Sequence, residues 1–492
     1  MQFISVHFLI LMPFLLLGYY TVPAKCRYLF LLACSILYYL SWMTHPGSAL
    51  PLLFVILATW TGARLIEKSS LEKCRKICLL VTMVLTLGSL LYFKYADFLL
   101  TSILSVLGTG TQGHSVSPLM PIGISFFTFQ SLSYVFEVYY KRTNTERNIL
   151  RYAAYITFFP TILSGPIESP QKLLEQVKHI GELRFRFENI RNGIVLALSG
   201  AWIKYVIADR FSVIANTVFG SYHSYGSVIL CFGSICYTLQ IYCDFLAYSL
   251  IALGLGKMLG ISLTENFNAP YFARSIQDFW RRWHISLSTW LRNYVYIPLG
   301  GSRCSALRKN INLFATFLVS GIWHGADWTY VIWGMLHGAY QIIGNVASPF
   351  REWLYNRLHV KKNCFSFRLG QRICTFALVS FAWIFFRADS IPDAFHYIAG
   401  MAGRFDIWNL FNNSIYNLGL DILQMNILMV SFIIFLIADY FRYKTNTGID
   451  ILLAKQNLAF YWLAVIFLFV STFIFGMYGP EINASDFIYF QF

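Results

Sequence analysis

Two histidine-bearing segments carry the residue types that could do chemistry. One is Phe317 to Gln341, FLVSGIWHGADWTYVIWGMLHGAYQ, and the other is Gln277 to Arg303, QDFWRRWHISLSTWLRNYVYIPLGGSR. A neutral imidazole can take a proton from a hydroxyl near pH 7, which is general-base work. The apolar run before His324 begins near Ile311. A helix of about 13 residues spans about 20 Å, short of the ~30 Å of hydrocarbon in a bilayer. His324 is therefore expected within the bilayer, nearer its outer face, at a break marked by Gly321 and Gly325. An ionisable group at that depth is costly and usually functional. The alternative is a buried histidine bonded to a carbonyl.

His337 follows in the same segment. On an unbroken helix it falls about 20 Å from His324, toward the cytoplasm, too far to form an acid–base pair with it. A structural role is the leading expectation for His337. Asp327 is expected to cap the helix that follows; the competing role is to orient the imidazole. In the second segment Trp280, Trp283, Leu287 and Trp290 fall near one helical face, with His284 beside it and Arg281 and Arg282 turned away. Arg281, Arg282, Arg292 and Arg303, with Arg308 and Lys309, suit the phosphates of a donor such as coenzyme A. For any one of them, anchoring on the cytoplasmic side is the simpler role. Pro298, Gly300 and Gly301 then break the element.

Other chemistries lack their residues. There is no GxxxxGK[ST] loop, no HExxH and no paired Cys/His spacing, no DxD, no HxxxxD and no GxSxG. Nothing argues for ATP hydrolysis, a bound metal or a hydrolase nucleophile elbow. The ten cysteines sit mostly inside apolar runs and are read as small apolar filler.

The elements that must hold these residues are set by composition. Of 492 residues, 57% are hydrophobic and only 12% are charged, which excludes an ordinary soluble enzyme and a nucleic-acid-binding module. The net charge of +15 is spread between long apolar runs, as topology signals are. Runs lie near 3–20, 27–43, 49–66, 77–93, 119–140, 192–218, 228–256, 311–323, 328–346, 372–386, 425–441 and 458–476. Loops alternate between basic (Lys25, Arg27; Arg64 to Lys76; Lys141 to Arg151) and free of Lys and Arg. This predicts an all-α integral membrane protein with about 11–12 crossings, both termini outside. Pro170 to Asn189 reads as amphipathic helix on the inner surface. Thr264 to Lys309 is too polar to cross and too aromatic for an ordinary loop, as a re-entrant element would be. The whole chain, 1–492, reads as one membrane domain, with peripheral helices in 1–118, a histidine-bearing core in 119–345 and closing helices in 346–492. Lys204, Asp209 and Arg210 form a charged cluster in an apolar run, with Arg210 either snorkelling or paired to Asp209.

Four stretches resemble the membrane-bound O-acyltransferase family, in its bacterial branch of alginate O-acetylation and teichoic-acid D-alanyl transfer proteins. They are MPIGISFFTFQSLSYVFEVYY at 120–140, FFPTILSGPIESP at 158–170, DFWRRWHISLSTWLRNYVYIPLGG at 278–301 and SGIWHGADWTYVIWGMLHG at 320–338. The terminal FIYFQF at 487–492 is similar to the alginate-type branch. The resemblance implies a helical core with re-entrant helices around a central tunnel. It implies that His324 is the catalytic histidine, His284 the second family histidine and His337 a third position. Family members usually carry an acidic residue after WLR; here it is Asn293, which can hydrogen-bond but cannot be a base.

The expected activity is acyl transfer across a bacterial inner membrane. A cytoplasmic thioester, acetyl-coenzyme A or an acyl carrier, is the donor substrate; no tightly bound cofactor and no metal are expected. The acceptor is an outside SGNH-hydrolase-type partner protein or a glycan such as alginate or peptidoglycan. Oxyanion donors are sought among Trp323, Trp328 and the backbone at Gly321. Membrane lipids, and no nucleic acid, complete the expected partners. Two other readings stay open: a transporter or flippase that moves an acyl group or a lipid-linked sugar without chemistry, and a lipid-modifying acyltransferase.

Overall fold

The computed structural model describes residues 3, 5–43, 45–107, 120–403 and 405–478. The terminal FIYFQF and His114 lie outside the described residues. Among the described residues there is helix and connecting turn but no strand. Six helices among the described residues are long and apolar enough to cross a membrane: Gly47–Lys68, Glu72–Leu104, Ser227–Met258, Phe365–Arg387, Ile422–Thr445 and Leu458–Phe475. At 1.5 Å per residue the shortest of them, with 18 residues, reaches about 27 Å. Of the other apolar runs, those at 311–323 and 328–346 form the 19-residue helices Ala306–His324 and Trp328–Val346, and several others fold into shorter or interrupted helices. Val6–Thr21 and Arg27–Leu40 have 16 and 14 residues. The run at 192–218 is divided, because a π-turn at Ile203–Ala208 separates Phe187–Trp202 from Asp209–Gly220.

Helix starts follow ordinary capping chemistry. Ser5 accepts from Phe8 N, Asn148 from Leu150 N, Asp421 from Gln424 N and Asn457 from Phe460 N. The long helices then expose apolar side chains where a soluble protein would expose charge. Leu463, Phe469 and Phe473 on the last helix are all more than 60% exposed, as lipid-facing residues must be.

The chain divides into two compact units. The first comprises Met1–Ala197 and Ser249–Glu265. Here the Pro170–Asn189 stretch, expected as surface helix, forms short pieces, Pro170–Leu174, Glu175–Lys178 and Ile180–Glu182, before its last three residues open the helix Phe187–Trp202. The Arg27 guanidinium fastens the short pieces by donating to the Ile180 and Leu183 carbonyls, at 3.1 and 2.6 Å.

The second unit, Leu198–Tyr248 and Asn266–Phe492, holds every residue of the histidine segments. Its charged cluster is larger than the sequence showed. Lys204 Nζ lies 2.9 Å from Asp209 Oδ1 and 2.8 Å from Asp244 Oδ1, all buried. Asp244 went unnoticed because it sits alone inside a long apolar run. Arg210 neither snorkels nor turns to Asp209 for its hydrogen bonds. It is buried and donates to Gln424 Oε1, the Val206 carbonyl and the Phe475 carbonyl, capping the last helix.

Candidate active site

The helix Ala306–His324 ends at His324 itself. Gly325 leaves the helix in extended backbone, and a Cβ there would meet the Tyr330 ring at 2.1 Å. Asp327 then starts the return helix Trp328–Val346 by accepting from Thr329 N at 2.8 Å, so the expected cap is what forms. Gly321 is no break: it lies inside the first helix. Its job is close packing, since a Cβ on Gly321 would lie 2.4 Å from the Tyr330 carbonyl oxygen and one on Gly334 2.5 Å from that of Phe317. Two backbones approach this closely only through small residues.

This hairpin corrects the position of His337. The 20 Å estimate assumed one continuous helix, but the chain folds back at Gly325–Asp327. The Trp333 ring stands 4.9 Å from His324 and 4.9 Å from His337, which caps the separation of the two imidazoles at twice that distance. The Trp333 indole is a shared neighbour of both imidazoles.

His284 arrives from a second irregularity. The helical face predicted from Trp280 to Trp290 is interrupted, because Ile276–Arg282 and Ile285–Leu291 are separate helices. Between them His284 has φ 42 and ψ 56, the left-handed region that non-glycine residues occupy at a cost. An extended segment holds it there. Asn268 N donates to the Arg282 carbonyl at 3.0 Å, and Ile285 N to the Asn266 carbonyl at 2.9 Å. The Ser286 hydroxyl donates to Asn266 Oδ1 at 2.7 Å. The backbone is thus tied on both sides of the turn.

The result is a pair of buried imidazoles, His284 and His324, with ring centroids 6.4 Å apart. Trp323 stands beside both, 6.0 Å from His284 and 4.9 Å from His324. Phe245 closes on His284 edge-on at 4.8 Å, and Phe386 on His324 at 5.3 Å. Burial pushes the His284 imidazole well below its ordinary pKa, which favours the neutral ring. Neither Trp333 nor Phe386 was singled out from sequence. Trp333 and His337 are four residues apart on one helix, the spacing that stacks side chains on one face. Phe386 gave no local signal.

The remaining candidates separate. Trp328, one of the expected oxyanion donors, is 53% exposed on its helix. Arg282 is committed to structure: it pairs with Asp278 at 2.9 Å, donates to the Asn268 carbonyl at 3.2 Å and lies over Tyr443. Arg281, Arg292 and Arg303 are exposed, and Asn293 Oδ1 accepts from Arg292 Nε at 3.4 Å. Among the described residues, no three His, Cys, Asp or Glu side chains stand together as a metal site would require.

Residues 25–386 match the family model described as MBOAT, membrane-bound O-acyltransferase family. The chain is 35% identical over 438 residues to a probable alginate O-acetylase of Azotobacter vinelandii, covering 88% of this chain and 84% of that protein. It is 32% identical over 422 residues to a peptidoglycan O-acetyltransferase of Helicobacter pylori, covering 80% of this chain and 78% of the relative. A teichoic acid D-alanyltransferase of Bacillus subtilis is 27% identical over 242 residues, covering 47% of this chain and 60% of the relative.

Proposed function

Because the chain belongs to the membrane-bound O-acyltransferase family, we propose that it O-acetylates a polysaccharide outside the bacterial inner membrane, with His324 as the base and a cytoplasmic thioester as donor. The observation that carries this reading is the His324 ring itself, buried at the end of its helix and walled by Trp323, Trp333, Phe386 and His284. A wall of aromatic edges excludes water, which would otherwise hydrolyse the thioester.

In this mechanism an acceptor hydroxyl gives its proton to His324 as its oxygen attacks the thioester carbonyl carbon. The carbonyl electrons move onto oxygen. They return as the C–S bond breaks, and the sulfur leaves toward the cytoplasm as a thiol, taking the proton from His324 and restoring its neutral ring. The sum is acyl thioester plus alcohol giving ester plus thiol. His284 supports the neutral side of this exchange, as the neighbouring imidazole that completes the histidine pair.

Acetyl-coenzyme A is the proposed donor substrate, with Arg281, Arg292 and Arg303 offering exposed guanidinium groups to its phosphates. The proposed acceptor is the serine of an SGNH-hydrolase-type protein outside the membrane, which passes the acetyl group to alginate or a related glycan. Both termini lie outside in this arrangement. The relatives named as alginate and peptidoglycan O-acetyltransferases support acetyl and polysaccharide over a lipid acceptor.

The test is a deletion strain complemented with wild type or His324→Ala. Wild type restores the acetyl content of the exported polysaccharide; the variant, at equal membrane abundance, lowers it to the deletion level. Full acetylation by His324→Ala removes the mechanism.

A further inference from the structure

One hydrogen bond beside the site fixes a tautomer. The Trp280 indole N–H lies 3.1 Å from His337 Nδ1. An indole N–H only donates, so Nδ1 must accept and carries no proton. A ring that accepts at Nδ1 is neutral and carries its proton on Nε2. That Nε2–H is fully buried and has no hydrogen-bond partner among the described residues. The same is true of the Trp333 Nε1–H, whose ring lies 4.9 Å from that of His337 and 4.9 Å from that of His324.

Two buried neutral donors without acceptors are expensive, because each has been taken from water for nothing in return. They stand one helical turn apart on the same face of Trp328–Val346, next to the base. Around them are the Phe317, Phe279, Trp383 and Phe386 rings, which offer no oxygen acceptor, and Tyr340, 5.8 Å from His337 ring to ring, whose hydroxyl accepts from neither donor. Two unpaired N–H groups in such a place suit an oxygen that gains negative charge. In acyl transfer that oxygen belongs to the thioester carbonyl.

We propose that His337 Nε2–H and Trp333 Nε1–H form the oxyanion site for the acyl group, and that Trp280 is the positioning residue that holds His337 as a donor. This deepens the acyltransferase reading and rests on it. As the acceptor oxygen bonds to the carbonyl carbon, the carbonyl π electrons become a lone pair on oxygen, held by the two N–H groups. The same pair re-forms the double bond when the sulfur departs. His337 takes no proton at any step, which separates its work from that of His324.

The test uses the full-length protein in nanodiscs with acetyl-coenzyme A labelled with 13C at the carbonyl. His337→Leu removes the donor and His337→Gln replaces it, because an amide can accept from Trp280 and donate from its nitrogen. His337→Leu and Trp333→Phe are expected to lower kcat by about 10²- to 10³-fold with little change in KM for the thioester. His337→Gln regains at least tenfold of that loss, and Trp280→Phe falls between. In His324→Ala, which binds without turnover, the infrared band of the bound carbonyl lies below that of free acetyl-coenzyme A; adding His337→Leu returns it toward the free value. Wild-type kcat in His337→Leu, or equal losses in the Leu and Gln variants with folding intact, overturns the proposal. An unchanged carbonyl band does the same even if kcat falls. Undiminished transfer by His324→Ala alone would instead overturn the underlying acyltransferase mechanism.

Discussion

His284 and His324, forty residues apart in the chain, face each other with ring centroids 6.4 Å apart and planes at 56°. Neither reaches this position by regular secondary structure. His284 sits in a left-handed turn between two seven-residue helices, and His324 is the last residue of a nineteen-residue one. Both lie where a helix stops, so the imidazoles project into space that continuous helices would have filled.

The turn at His284 makes a stability prediction. Asparagine tolerates left-handed backbone and valine does not, so His284→Val should cost about 1–2 kcal/mol more than His284→Asn. Thermal unfolding in detergent checks the order. Both variants should lose acetyl transfer. Equal stabilities would mean that the turn relaxes when the imidazole is gone.

Asn266 is the clamp on that turn. Asn266→Ala removes the acceptor of the Ser286 hydroxyl while leaving the backbone bond to Ile285 in place. A loss of about 1 kcal/mol is expected, with a comparable loss in Ser286→Ala and no further loss in the double variant. Additive losses would show that the two side chains act separately.

The glycine seam between the two site helices predicts a contrast on one helix. Gly334→Ala puts a methyl group 2.5 Å from the Phe317 carbonyl oxygen, whereas Gly344→Ala meets nothing within 4 Å. Gly344→Ala should be neutral or stabilise the helix by up to about 1 kcal/mol. Gly334→Ala should force the hairpin apart and reduce acetyl transfer at least tenfold. Equal activity in the two variants contradicts the close approach.

The Lys204 cluster predicts non-additivity. Lys204→Met leaves Asp209 and Asp244 buried without their cation, a loss of about 3–5 kcal/mol. Combining it with Asp209→Asn and Asp244→Asn should recover most of that stability. Melting temperatures of the single and triple variants decide it, and a triple variant less stable than the single would rule out charge burial as the cause.

Much of this site could be read locally. Asp327 announces its cap by type and position, and the Trp–His segments stand out against an apolar chain. What could not be read were events that depend on tertiary contact. No glycine or proline marks the left-handed turn at His284, because Asn266 and Asn268 impose it from outside the segment. His337 was placed too far from His324 because a three-residue reversal, Gly325–Asp327, turns sequence distance into proximity. Gly321 looked like a break and is a packing residue, a difference set by Gly334 on the facing helix. Trp333 lay inside the motif, yet its value comes from standing beside two imidazoles at once, which no spacing rule states.

The most direct test of the central claim is sidedness of transfer in sealed, right-side-out membrane vesicles loaded with radiolabelled acetyl-coenzyme A. With wild-type protein, label should appear on polysaccharide outside while free thiol accumulates within. With His324→Ala at equal abundance both signals should fall by about 10²- to 10⁴-fold. Label reaching the outside polysaccharide at the wild-type rate in that variant would contradict the account.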